Sequence, residues 1–286
     1  MKRRLYSRRN VLALAGGCGL GTIGCRARPV RAAQAYRDLV LAKNPVGYWR
    51  LGEREGPTAR DASPHSCDGT FHGGVHYRER GAIAHDDDTA ISANGRDAYV
   101  EVPDNEHFSQ PASGKGLTVE VWMRPGDLVF AGETAEHYVH WLGKGERGEL
   151  EWGMRFYSRD SSRPNRISAY IWNAGGGLGA GAYFQDELQR GDWIHVVACY
   201  DPGDRSNAGA GVSVYRNGAL RGSPSSQKGA LYSGYAIVPA HGSAPLRFGT
   251  RDRASYFSGR LDEVAIYPRV LTVAEIHDHY RVGSGR

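Results

Sequence analysis

Residues Phe257–Tyr280 read FSGRLDEVAIYPRVLTVAEIHDHY. Leu261–Tyr267 has the branched and aromatic composition of a strand, and Pro268 ends it because proline cannot donate to a ladder. Thr272 followed by Glu275 forms a capping box, so a helix starts there and runs to about Tyr280, placed to cover a sheet edge. Alternation across the strand sets Leu261, Glu263, Ala265 and Tyr267 against Asp262, Val264 and Ile266. Asp262 thereby shares a side with two apolar residues, and a carboxylate in that company needs a cation or a cluster of turn amides.

The same strand signature recurs toward the N-terminus. Leu117–Arg124 (LTVEVWMR), Tyr138–Gly143, Leu150–Tyr157 (LEWGMRFY), Ile167–Trp172 (ISAYIW), Trp193–Tyr200 (WIHVVACY), Val212–Arg216 and Leu246–Gly249 are short runs separated by Gly, Pro, Asn and Asp. Asn217-Gly218 after VSVYR predicts a type I′ hairpin, because both turn positions want positive φ. Long loops are expected at 104–116, 125–136, 173–191 and 222–245, and the glycine run Gly175–Gly181 reads as a flexible loop at a sheet edge. With 39 glycines in 286 residues and no second helical pattern as clear as the terminal one, the expected fold is all-β. Its form is a two-sheet antiparallel jelly-roll sandwich with a short C-terminal helix.

The formal charge of +5 invites a nucleic-acid reading. The first 35 residues, however, hold 8 of the 36 basic residues and no acid, leaving 28 against 31 acids in the remainder. The basic excess belongs to that segment, so nucleic acid is not an expected partner. Residues 1–35 have a charged start, an apolar run from Val11 to Ile23 and small residues after it, the layout of an export signal. Ser7-Arg8-Arg9-Asn10-Val11-Leu12 resembles a twin-arginine motif. Cleavage at Ala33-Gln34-Ala35 would free Tyr36, whereas Thr22-Ile23-Gly24-Cys25 resembles a lipobox that would lipidate Cys25. An extracellular, periplasmic or envelope-attached location follows from either. Outside this segment only Cys67 and Cys199 remain, too few for a metal framework, and a disulfide or two buried thiols are both open.

Four stretches, in order, resemble the laminin-G-like, concanavalin A-like jelly-roll domains of secreted bacterial proteins. They are NPVGYWRLG at 44–52, ANGRDAYVEVPDN at 93–105, LTVEVWMRP at 117–125, and WIHVVACYD at 193–201 with the closing segment quoted above. The resemblance implies one domain over residues 36–286, with two stacked sheets, one of them curved. It implies carbohydrate binding and a structural calcium ion, for which Glu53, Asp61 and Asp262 are the expected ligands with backbone carbonyls completing the shell.

Alternation then selects a ligand face. Thr118, Glu120, Trp122 and Arg124 oppose Leu117, Val119, Val121 and Met123, while Arg155, Tyr157, Tyr170 and Trp172 oppose apolar partners in their own strands. If those strands are neighbours, Trp122, Arg155, Tyr157, Tyr170 and Trp172 form a platform for sugar rings, with arginine for hydroxyls or carboxylates. No catalytic residue is assigned. A glycosidase of this fold class would carry E-x-D-x-x-E, and Glu149-Leu150-Glu151 lacks the middle acid. A lyase on the same fold would need His140, Arg155, Tyr157, Tyr170 or His195 to converge, although the characteristic lyase strand motifs are absent. Such a His–Tyr–Arg cluster would favour an enzyme; exposed aromatics without it would favour a non-catalytic lectin-like module; a flat, loop-covered face would favour protein adhesion. His277 and His279 at i, i+2 cannot share a helix face, and no zinc spacing, G-x-S-x-G elbow or phosphate loop is present. Asp86-Asp87-Asp88 reads as a solvated turn.

Overall fold

The computed structural model describes residues 29–173, 179–203, 211–223, 230–231 and 238–286. The twin-arginine motif, Cys25 and Gly175–Gly177 of the glycine run lie outside them. A helix α1 (Pro29–Leu41) leads into seventeen strands: β1 (Gly47–Trp49), β2 (Thr58–Ala59), β3 (Gly69–His72), β4 (His76–Arg80), β5 (Thr89–Asn94), β6 (Tyr99–Val102), β7 (Leu117–Pro125), β8 (Tyr138–Glu146), β9 (Glu149–Tyr157), β10 (Ile167–Ile171), β11 (Ala180–Phe184), β12 (Ile194–Asp201), β13 (Gly211–Arg216), β14 (Ala219–Gly222), β15 (Ala230–Leu231), β16 (Leu246–Phe248) and β17 (Ser258–Tyr267). Helix α2 (Val273–Gly283) closes the chain. One sheet runs β14-β13-β12-β7-β17-β5-β4 with β1 also on β17; the other runs β15-β11-β10-β9-β8-β16-β6-β3-β2. All pairings are antiparallel, so the expected two-sheet jelly roll is what forms.

The main core lies between the sheets, where Leu117, Val119, Val121 and Met123 meet Trp152, Met154 and Phe156. A second core lies on the outer face of the eight-stranded sheet, where Tyr36, Val40, Leu271 and Ile276 pack on Trp122, Val197 and Tyr267. Thr272 and Glu275 complete both halves of the capping box. The Asn217-Gly218 turn has φ of 53° and 77°, as a type I′ hairpin requires.

Four expectations change. Helix α2 packs across the outer face of the eight-stranded sheet, where apolar side chains can be buried, and does not simply cover an edge, and the segment 222–245 contains the short strand β15. The segment 173–191 contains β11, whose Ala180-Gly181-Ala182 start continues the glycine run and carries no branched residue. Gly181 is required there: a Cβ would stand 2.8 Å from Cδ1 of Tyr170, so only a bare backbone lets that ring lie across the strand. In β17 the alternation breaks. Asp262 pairs with Trp122 and Ala265 with Glu120, so Glu263 and Val264 together stand against Val121 alone, a bulge. Leu261, Val264 and Ile266 therefore all reach the main core, while Glu263 sits at the bulge with φ 52°. Asp262 does not share the face of Val264 and Ile266 as strict alternation implies.

Candidate functional site

The outer face of the nine-stranded sheet carries an assembled polar cluster. In β8, β9 and β10 the apolar residues Val139, Met154, Phe156, Ile167 and Ala169 turn into the main core, and Tyr138, His140, Arg155, Tyr157 and Tyr170 turn outward. The guanidinium of Arg155 lies 4.4 Å from the Tyr138 ring centre, 4.6 Å from Tyr170 and 5.8 Å from Trp172. Arg251, following β16, lies 5.1 Å from Trp172. Gly153 makes room: a Cβ there would stand 3.3 Å from the Trp172 indole and 3.4 Å from Cδ of Arg251.

His140 is the hub. Its Nε2 accepts from Nε of Arg155 at 2.9 Å and from Nη1 of Arg251 at 2.8 Å. A guanidinium can only donate, so Nδ1 carries the proton and donates to Oε1 of Glu133 at 2.6 Å. Oγ of Ser255 donates to the same carboxylate oxygen at 2.6 Å. Burial pushes the imidazole down to about 4, with Glu133 opposing and Arg251 adding to the fall, so His140 is neutral at pH 7. Burial pushes the Tyr157 phenol up, but its hydrogen bond with Tyr170 and the Arg155 guanidinium outweigh that and hold it below the ordinary value. Arg251 is paired with Asp252. Among the described residues Arg155 has no carboxylate partner, although it is part-exposed and strongly cationic.

Of the residues expected on a ligand platform, the structure brings Arg155, Tyr157, Tyr170 and Trp172 onto this face. Trp122 is not among them. Its strand β7 belongs to the other sheet, and it is buried under α1 and α2 with its indole donating to the Tyr36 hydroxyl at 2.9 Å. Alternation fixes which side of a strand a residue takes but not which sheet the strand joins. His195 is separated from the cluster for the same reason: it faces Glu120 at 2.7 Å beneath α2. Tyr157, Tyr170 and Trp172 are all buried, so the rings form the wall of the cluster and not an open platform. Tyr138 was legible from the Y-V-H-W alternation that also turns His140 away from the main core, whereas Glu133, Arg251 and Asp252 sit in loops with no periodic signal.

Glu133, His140 and Asp252 present ligand atoms within 4.8 Å of one another. The two guanidiniums on His140 Nε2 already hold the cation's place, so this group does not suit a metal ion.

The residues expected to hold calcium differ in what already occupies their oxygens. Asp61 is consumed by its own turn: its oxygens accept from the amides of Tyr48, Ser63 and Cys67 and from the Ser63 hydroxyl, each at 2.8 Å. Asp262 accepts from the Ala82 amide at 2.7 Å through Oδ2, while Oδ1 is buried without a partner, and burial beside Glu263 pushes its carboxyl well up. Glu53 likewise keeps one buried, unpartnered oxygen, Oε2. Asp86 and Asp88 are not a free solvated turn: Nη2 of Arg50 lies 2.8 Å from each and 3.0 Å from Glu263. Glu263, also bonded by the Tyr48 hydroxyl, is pushed up to about 7 by burial against the opposing pull of Arg50. Cys67 and Cys199 are both free thiols.

No curated protein matches this sequence. Among solved structures, domain 4 of AbnA, a GH43 extracellular arabinanase from Geobacillus stearothermophilus in complex with arabinotriose, is similar at 18% identity over 83% of this chain and 98% of that one, with a TM-score of 0.56. The binding domain of botulinum neurotoxin DC in complex with SialylT is similar at 11% identity over 84% and 52%, with a TM-score of 0.58. The botulinum neurotoxin type G receptor-binding domain is similar at 12% identity over 84% and 51%, with a TM-score of 0.56. This chain spans about half the length of those neurotoxin domains, and at such identities the likeness is one of fold. A laminin-G family, described as the concanavalin A-like lectin/glucanases superfamily, matches residues 94–277. With the two-sheet jelly roll and its closing helix, that match assigns the chain to the laminin-G-like members of the concanavalin A-like lectin/glucanase superfamily.

Proposed function

We propose that this protein is a carbohydrate-binding module that takes a carboxylate-bearing sugar on the outer face of its nine-stranded sheet. One observation carries this: Arg155, part-exposed and set between the Tyr138 and Tyr170 rings, is a guanidinium without a carboxylate partner among the described residues. A planar fork held over aromatic rings pairs with a carboxylate through two parallel hydrogen bonds, while the part-exposed Tyr138 ring meets a C–H face of the sugar. The arabinotriose and SialylT complexes of structural neighbours support glycan binding as the general class.

A glycan lyase is the second reading, favoured by the convergence of His140, Arg155, Tyr157 and Tyr170. Against it, His140 and Tyr157 are almost wholly buried, and the His140 lone pair is shared by two guanidiniums, so neither offers a general base to an incoming sugar. An array of neutral and acidic glycans, followed by an unsaturated-uronate absorbance assay on the hits, separates the readings. The expected result is binding of acidic glycans without turnover, weakened about 10- to 100-fold in Arg155→Gln as one charge-assisted contact is lost. Equal binding of neutral glycans, or an unaffected variant, overturns the proposal; turnover transfers it to the lyase.

A structural calcium ion and export through residues 1–35 belong to the same proposal. The calcium ligands would be Asp262 and Glu53, each with a buried unpartnered oxygen, with backbone carbonyls completing the shell because Asp61 is saturated by its own turn. The ion would neutralise carboxylates that burial alone disfavours.

A further inference from the structure

A second aromatic cluster lies on the same face, beyond β8. Val100 and Val102 of β6 and Phe71 of β3 turn into the main core, so Tyr99 and His72 turn outward. The Tyr99 and His72 rings are stacked at 4.7 Å and 13°, and Tyr256 lies 6.1 Å from Tyr99. All three are part-exposed, and neither phenol hydrogen-bonds any described residue.

The sheet register aligns this cluster with Arg155. Val100 pairs with Phe248, Phe248 with Leu142, and Leu142 with Met154, so the next rung along holds Tyr99, Gly249, the Trp141–His140 bulge and Arg155. Gly249, in the middle of that rung with φ 94°, contributes no side chain between the two clusters. Arg155 and Tyr99 are three strand spacings apart, ~14 Å, farther than one sugar ring reaches. Arg247 lies in β16, and Arg251 and Arg253 follow it. Arg247 is paired with Glu101 and Glu146, Arg251 with Asp252, and Arg253, with a side chain 51% exposed, approaches Glu146 at 3.5 Å.

We infer that Tyr99, Tyr256 and His72 form a second subsite, so that the ligand is an acidic oligosaccharide of roughly three or more linked units laid across the strands. This rests on the acidic-glycan reading of Arg155 and extends it from a single sugar to a chain. The subsite supplies stacking and the Arg155 cluster supplies the charge contact. Affinity therefore grows with ligand length until both ends are engaged.

The test is calorimetric titration of the full chain with ladders of oligogalacturonate, oligomannuronate and oligosialate, from the single sugar upward. The expected result is affinity that climbs with length in at least one ladder. Tyr256→Ala removes the climb, costing about tenfold on the longer members and leaving the shortest binder unchanged. Tyr256→Trp keeps the climb, which separates lost stacking from local misfolding. Length-independent binding by the unaltered chain, or a Tyr256→Ala variant that matches it at every length, overturns the second subsite and leaves the Arg155 reading intact. Absence of binding to every ladder overturns both.

Discussion

Replacing Glu120 by glutamine tests how the two helices are held to the eight-stranded sheet. Glu120 is fully buried in β7 and accepts from the Tyr36 hydroxyl at 3.1 Å, the Tyr267 hydroxyl at 2.7 Å, Nε2 of His195 at 2.7 Å and Nδ1 of His279 at 2.9 Å. These donors come from α1, β17, β12 and α2, so one carboxylate ties four elements together. Burial lowers the His279 pKa, but the Glu120 charge outweighs it and the imidazole ends above its ordinary value. Glutamine keeps the shape, removes the charge and points an amide donor at groups that also donate. Removing one partner of a buried ion pair costs ~3–5 kcal/mol. At ~2–4 °C per kcal/mol for a domain of this size, the melting midpoint should fall by about 6–20 °C. Trp122 donates to the Tyr36 hydroxyl within the same cluster, so its fluorescence reports the transition. Acidic-glycan affinity at about 20 °C, well below the expected transition, should be unchanged, because the Arg155 cluster is on the other sheet. A fall under ~3 °C, or a loss of glycan binding equal to that of Arg155→Gln, would refute this account.

Acid should loosen the Arg155 cluster. His140 titrates at about 4 in the fold against 6.5 when free, so the unfolded chain takes up a proton first and stability falls as pH drops from 6.5 to 4. The difference is worth about 3 kcal/mol, seen as a lower urea midpoint that His140→Gln should not show. His279 acts oppositely: its pKa is raised, so its contribution is complete below the unfolded pKa and is lost as pH rises through the folded one. Gly153→Leu should displace Trp172 and Arg251 and abolish acidic-glycan binding while the melting midpoint falls only modestly; retained affinity would mean those side chains are not in the ligand's path. Calcium should raise the melting midpoint of the unaltered chain and EDTA should reverse it. Asp262→Asn, which relieves a buried carboxyl whose pKa is pushed well up, should be no less stable without calcium and should lose the calcium response. A calcium response that survives in Asp262→Asn would place the ion elsewhere.

Much of the fold was legible because it rests on local rules. The capping box at Thr272, the hairpin at Asn217-Gly218 and the apolar alternation of β7, β9 and β10 depend on residues near one another in the chain. The same alternation correctly turned Arg155, Tyr157 and Tyr170 away from the core. It could not detect the bulge at Asp262–Glu263, because a bulge is set by how β17 meets β7 and changes no residue type. Nor could it detect β11, a short strand that opens on Ala180-Gly181-Ala182 and is shaped by the Tyr170 ring beside it.

The order of apolar, polar and turn residues by itself determined an antiparallel two-sheet sandwich with a capped terminal helix, since burial and backbone geometry act through short spacings. Tertiary structure alone decided the sites. Trp122 in β7 and Trp172 just after β10 both lie off the main core, yet sheet assembly sends one beneath two helices and the other beside two arginines. Asp61 follows β2 and Asp262 lies in β17, yet one is saturated by turn amides and the other keeps an unpaired oxygen. Charge, desolvation and hydrogen bonding depend on what stands opposite a side chain, and its neighbours in sequence do not supply that.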